Sequence, residues 1–111
     1  MAGSQIVLCD TNILIDLSKR KPDVVQELTA IGTANVVVSA ISAGEFMFGA
    51  LNKNDLVRII KGLNAIKIIH VDRATSERGL ELVQRYGLSH SLAVPDAFIA
   101  ATAFVPYPYI H

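Results

Sequence analysis

The chain carries no excess of charge of either sign: Lys plus Arg is 10 and Asp plus Glu is 10, so the formal net charge is zero. A global field that would draw in a polyanion is therefore absent, and any nucleic-acid contact must rest on a local basic patch. There is one cysteine, Cys9, which excludes an intrachain disulfide and fits a reducing compartment. No apolar run approaches the roughly 20 residues of a membrane helix, so no membrane association is expected. The first apolar stretch, residues 6–9, is broken at once by Asp10, which speaks against a secretory signal. Repeats, low-complexity segments and linkers are lacking too. No histidine pair stands at the HxxxH spacing of a zinc site; His70, His90 and His111 read as structural or exposed, with His90, six residues before Asp96, as a possible rim contact.

What is present is a globular composition: 111 residues, 51% hydrophobic and 18% charged. That is enough for one domain with a sizeable core, expected to span residues 1–111, and too little for two. Residues 5–10 (QIVLCD), 35–39 (NVVVS) and 65–71 (AIKIIHV) read as strands, the first buried on both faces. Between them lie helical patterns. Thr11-Asn12 offers a cap before Ile13, Leu14 and Leu17; residues 23–30 put Val24, Val25 and Leu28 on one face and stop at Gly32. Residues 40–51 carry Ile41, Phe48 and Leu51 with Glu45 among them, and Asn54 or Asp55 caps a helix running to about Lys61. Residues 73–86 form an amphipathic helix with Leu80 and Val83 inward, closed by Gly87. Pro95 opens a last helix over 96–105, and residues 107–111 begin a fourth strand. Alternating strands and helices predict an α/β fold, a central mainly parallel sheet covered by helices.

In such sheets ligands gather beyond the carboxyl ends of the strands. Asp10 ends the first strand, Glu45 lies near the start of the helix after the second, and Asp96 lies in the first turn of the last helix. Carboxylates brought together repel each other, and a divalent cation relieves that repulsion; Mg²⁺ and Mn²⁺ favour such hard oxygen ligands. Singly, each acid has an ordinary reading: Asp10 as a helix cap, Glu45 as a solvated residue or the partner of Ser42 in a capping pair, Asp96 as a helix-start charge. Their apolar surroundings and joint placement favour a site.

The segments carrying these acids, Val7-Leu8-Cys9-Asp10-Thr11-Asn12-Ile13-Leu14-Ile15-Asp16, Val38-Ser39-Ala40-Ile41-Ser42-Ala43-Gly44-Glu45 and Val94-Pro95-Asp96-Ala97-Phe98-Ile99-Ala100-Ala101-Thr102-Ala103, resemble the three acidic motifs of PIN-domain ribonucleases. The similarity runs over about residues 5–105 and is greatest to the VapC-type toxins of bacterial toxin–antitoxin pairs. It implies a three-layer α/β/α domain and a cytoplasmic endoribonuclease using Mg²⁺ or Mn²⁺. It also implies Asp10, Glu45 and Asp96 as catalytic metal ligands and Thr11 and Asn12 as residues holding the site. An RNA substrate, a cognate antitoxin protein and a homodimer follow from the same resemblance. The sequence departs from the family pattern after residue 105. The usual fourth acid is absent, Asp16 is no obvious replacement, and the last strand is expected to be missing or incomplete. That departure motivates the alternative of a catalytically impaired PIN remnant that binds a partner.

A haloacid-dehalogenase-like phosphatase would show a DxDx[TV] pattern, whereas Asp10-Thr11-Asn12 has Asn in place of the second Asp. Lys19-Arg20-Lys21 reads as a solvated turn or as a phosphate contact. Ser39 and Ser42 have no His and Asp arranged beside them in the sequence as a nucleophilic triad, and Cys9 reads as inert packing.

Overall fold

The computed structural model describes residues 6–103 and the backbone of 104 and 109–110. Four strands, β1 (Ile6–Cys9), β2 (Val36–Ser39), β3 (Lys67–Ile69) and β4 (Tyr109–Ile110), form one sheet in the order β3-β2-β1-β4. All pairings are parallel, with Val7 opposite Val36, Cys9 opposite Val38, Val38 opposite Ile68 and Ile6 opposite Tyr109. The helices are α1 (Thr11–Ser18), α2 (Pro22–Ile31), α3 (Ala40–Phe48), α4 (Lys53–Leu63), α5 (Arg73–Tyr86) and α6 (Val94–Phe104), with a 3-10 turn at Thr33–Asn35.

The β-branched run Val36-Val37-Val38 makes β2 the buried centre of the sheet. Its side chains alternate between two cores. On one face Val38 packs with Leu14, Ala43, Ile59 and Leu63 from α1, α3 and α4. On the other Val37 packs with Leu8 and Ile69, and Ala103 of α6 lies against them. Helices on both faces of a parallel sheet give three layers. Burying one such aliphatic side chain contributes about 1.5–3 kcal/mol. Among the described residues no helix is long and apolar enough to cross a membrane.

The strand and helix pattern read from the sequence is present, with corrections at the ends. Asp10, not Thr11 or Asn12, caps α1, because its carboxylate reaches the Ile13 amide at 3.0 Å. Asn52 caps α4 through the Asp55 amide at 2.8 Å, ahead of the expected Asn54 or Asp55. Asp55 instead takes the Leu51 amide at 3.0 Å and pairs with Arg58 at 2.7 Å. Glu45 is not hydrogen-bonded to Ser42 as a capping partner; Ser39 fills that role. Helix α3 stops at Phe48, so Leu51 sits in the link to α4, and both are outside the core, Phe48 at 92% and Leu51 at 87% exposed. Leu80, expected inward, is 61% exposed. The buried residues of α5 are small, Thr75 and Gly79, and Phe98 of α6 lies against Gly79. Gly32 ends α2 at φ 93, the left-handed region that glycine adopts freely. Helix α6 begins at Val94 with Pro95 in its first turn. Of the expected strand over 107–111, Tyr109 and Ile110 are in β4, and residues 107, 108 and 111 lie outside the described residues, as does Val105.

The glycines of α4 and α5 predict opposite outcomes for the same substitution. A Cβ at Gly62 meets nothing within 4 Å, so Gly62→Ala should raise stability by about 0.5–1 kcal/mol through helix propensity. A Cβ at Gly79 stands 2.9 Å from Phe98 Cδ1, and overpacking of about 1–3 kcal/mol should outweigh that gain, making Gly79→Ala a net loss in urea unfolding. Acid sensitivity is predicted too. The Thr75 amide, donating to Asp72 at 2.8 Å, holds that carboxyl below its ordinary range, and the Leu51 amide does the same for Asp55. A carboxylate depressed on folding stabilises above its unfolded pKa, and that contribution is lost as pH falls from about 4 toward the depressed value. Asp72→Asn keeps a cap without the titration, so its stability profile should be flatter below about pH 4 than that of the parent.

Candidate active site

Each acid is positioned by a strand–helix junction or a helix start. Asp10 follows β1 in extended backbone, φ −90 and ψ 177, and uses Oδ1 to hold the first turn of α1. It is exposed, one residue beyond the buried Cys9. Burial, with Asp10 beside it adding like charge, pushes the Cys9 thiol up, so it stays protonated and unreactive.

Glu45 is placed by the other junction. Ser39 ends β2, accepts from the Ser42 amide at 3.0 Å, and donates to Ser42 Oγ at 3.2 Å. Both serines are fully buried, so they fix α3 to the sheet from inside. Glu45, about a turn further along α3, is exposed. Its Oε1 accepts from Thr11 Oγ1 at 2.8 Å, across 34 residues of sequence. The first turn of α1 and the middle of α3 are thereby joined at the residue next to Asp10.

Asp96 is exposed in the first turn of α6. The next residue, Ala97, and Ala101 are fully buried, and Thr102 donates to the Phe98 carbonyl at 3.0 Å, so α6 is well seated. No hydrogen bond among the described residues ties Asp96 to Asp10 or Glu45, and no group of three or more His, Cys, Asp or Glu is gathered there as metal ligands would be. Asn12, the other expected supporting residue, is exposed on the first turn of α1. His70 and His90 are exposed, and His90 Nδ1 shares a hydrogen with Ser89 Oγ at 2.8 Å.

Asp10 and Glu45 open onto different hollows. Asp10 borders an apolar cavity of 660 Å³ between α2 and α6, with Leu28 and Ile99 among its walls. Glu45 borders a groove of 350 Å³ with Lys19, Phe46 and Arg58, which runs into a larger one of 680 Å³ between α1, α2 and α4.

Comparison with known proteins decides what this arrangement belongs to. Residues 7–105 match the family model of the PIN domain. The chain belongs to the PIN-domain family. Its fold is similar to a solved toxin–antitoxin complex from Klebsiella pneumoniae, with 36% identity and TM-score 0.71 over 87% of this chain and 77% of that one. It is also similar to FitAcB from Neisseria gonorrhoeae, with 25% identity and TM-score 0.68 over 88% and 80% of the two chains. FitAB bound to an IR36 DNA fragment is a further likeness, with 28% identity and TM-score 0.69 over 88% and 78%. No curated protein matches the chain. PIN domains are generally nucleases and generally use divalent metals.

The buried Ser39–Ser42 pair was not read from the sequence as a support for this PIN domain's Glu45. Its signal was there in the Ser-x-x-Ser spacing directly after a valine run, which is cap spacing. The Thr11–Glu45 bond yields a test. Thr11→Val removes the only described hydrogen bond to the Glu45 carboxylate; on the reading that Glu45 is a catalytic acid, it should lower nuclease activity by about one to two orders of magnitude. Thr11→Ser should restore it, and the unfolding free energies of both variants should stay within about 1.5 kcal/mol of the parent.

Proposed function

We propose that this PIN domain, taken as residues 1–111, is an endoribonuclease and the toxin component of a bacterial toxin–antitoxin pair. Asp10, Glu45 and Asp96 are its catalytic acids. Membership in a nuclease family and likeness to toxin–antitoxin complexes support the reading. The observation that carries it is the Thr11–Glu45 hydrogen bond, which commits a threonine next to Asp10 to orienting a second exposed acid. Exposed carboxylates that are held in place, rather than paired with cations, are suited to a ligand.

Mg²⁺ or Mn²⁺ is the proposed cofactor. The donor set fits in kind: Asp10 and Glu45 offer hard carboxylate oxygens, and Mg²⁺ is commonly bound by one or two carboxylates with waters filling the rest. Asp96 is the proposed third ligand. Such an ion, when bound, supplies positive charge at the phosphoryl oxygen and lowers the pKa of a water. The chain's own residues do the rest. Asp10 stays fixed through its cap to Ile13, Thr11 sets the rotamer of Glu45, and the buried serines hold α3 rigid. The proposed setting is the cytoplasm, as a homodimer, with a cognate antitoxin covering the groove beside Glu45.

A second reading is a PIN remnant that binds its partner without cutting. It is favoured by one observation, that no three acids are gathered among the described residues. Incubation of a mixed RNA pool with and without Mg²⁺ or Mn²⁺ separates the two. Metal-dependent cutting that disappears in Asp10→Asn, Glu45→Gln and Asp96→Asn is expected, together with Mn²⁺ binding by calorimetry that weakens in each variant. Intact RNA alongside a folded chain that binds no Mn²⁺ would establish the remnant.

A further inference from the structure

The C-terminal end of α1 contains a residue that backbone energetics disfavour. Helix α1 closes with a Schellman motif: the Arg20 amide donates to the Leu17 carbonyl at 3.0 Å and the Lys21 amide to the Asp16 carbonyl at 3.1 Å. The position after the cap in this motif must adopt the left-handed conformation, and glycine is the usual occupant. Here it is Arg20, at φ 53. A long side chain kept in a conformation that disfavours it points to a use for that side chain.

The ion pairs sharpen the point. Among the described residues Arg58, Arg73, Arg78 and Arg85 are each paired with a carboxylate, and Lys21 is paired with Asp16 at 3.3 Å. Arg20 is the one arginine among the described residues that enters no ion pair, Lys19 like Lys53, Lys61 and Lys67 enters none there, and both Lys19 and Arg20 are exposed. Both line the 680 Å³ groove, and Lys19 continues into the 350 Å³ groove that Glu45 borders. The 680 Å³ groove thus carries Lys19, Arg20 and Arg58 with no carboxylate among its lining residues, and Lys19 reaches on into the 350 Å³ groove, where Arg58 faces the carboxylates of Asp55 and Glu45. In a chain of zero net charge, this is the local basic surface that a polyanion needs.

We propose that Lys19 and Arg20 hold the phosphodiester backbone of the RNA beside the acidic site, Arg20 as a planar fork on one phosphate and Lys19 as a point charge on a neighbouring one. This rests on the nuclease reading above. Lys19 and Arg20 are positioning residues: they set where the strand lies relative to Glu45 and touch no reacting atom.

The test measures single-stranded RNA binding by fluorescence anisotropy over a salt series, in an Asp10→Asn background that leaves the RNA uncut. Arg20→Gly, Lys19→Ala and their combination are compared with Lys61→Ala, an exposed cation of α4 that lines neither groove. Each lost phosphate contact lowers the slope of log Kd against log salt by about 0.7, so the double variant should lose about 1.4 and Lys61→Ala nothing. Arg20→Gly relieves the backbone, so its melting temperature should not fall while its RNA affinity does. An unchanged slope in the double variant, with the parent chain cutting RNA, overturns the proposal and leaves the nuclease reading in place. Unchanged RNA affinity with lost binding of a labelled Glu-rich peptide overturns it in favour of a protein partner in the groove. A parent chain that neither cuts nor binds RNA removes the nuclease reading and this inference together.

Discussion

The parallel pairing of β1 with β2 is the constraint on which the site depends. With Cys9 opposite Val38, both strands end at the same edge, and Asp10, just after β1, and Ser39, the last residue of β2, both become helix caps there. An antiparallel pair would send the two junctions to opposite ends of the sheet. Because the strands run together, α1 and α3 leave the sheet side by side, and Thr11 meets Glu45 at hydrogen-bond distance. The bond itself contributes little to stability, as exposed hydrogen bonds do. Its importance is positional, and it is only possible because the buried valines of β2 fix the register beneath it.

The same edge shows how capping and chemistry share residues. Asp10 spends one carboxylate oxygen on the Ile13 amide, so its backbone and rotamer are set by the helix that follows. A cap and a candidate ligand are thus one side chain, and the ordinary and functional readings of Asp10 are both satisfied. Ser39 and Ser42 perform the corresponding service for α3 from within the core, with each hydroxyl partnered by the other. Asp96 is supported differently, by the close seating of Ala97 and Ala101, with no polar tie to the other two acids.

Much of this was legible in the sequence because it rests on strong local signals. The valine run of β2, the strand-then-Asp ending of β1 and the Pro-Asp start of α6 each mark their element unambiguously, and the three acidic motifs stood in order. What was not legible turns on which neighbour a side chain meets. Asn52 outcompetes Asn54 and Asp55 as a cap because a cap is chosen by backbone geometry at the junction, which composition does not specify. Leu80 was expected inside by its period, yet Gly79, its neighbour on α5, is the residue set against Phe98 of α6, where even a Cβ would crowd the ring. The Thr11–Glu45 bond spans 34 residues and appears only once the strands are in register.

Cys9 carries a consequence of a different kind. It is the sole thiol of the chain, it is 3% exposed at the end of β1, and its proton is held by burial. Cys9 also lines the 660 Å³ hollow that Asp10 borders, so a thiol reagent approaches it from that hollow, at the carboxyl end of β1 and one residue from Asp10. Labelling kinetics at this single position would report how readily the sheet edge that presents the acids admits a reagent, separately from global unfolding. The protein thus contains, without any added probe, a clock for the local breathing of its own site.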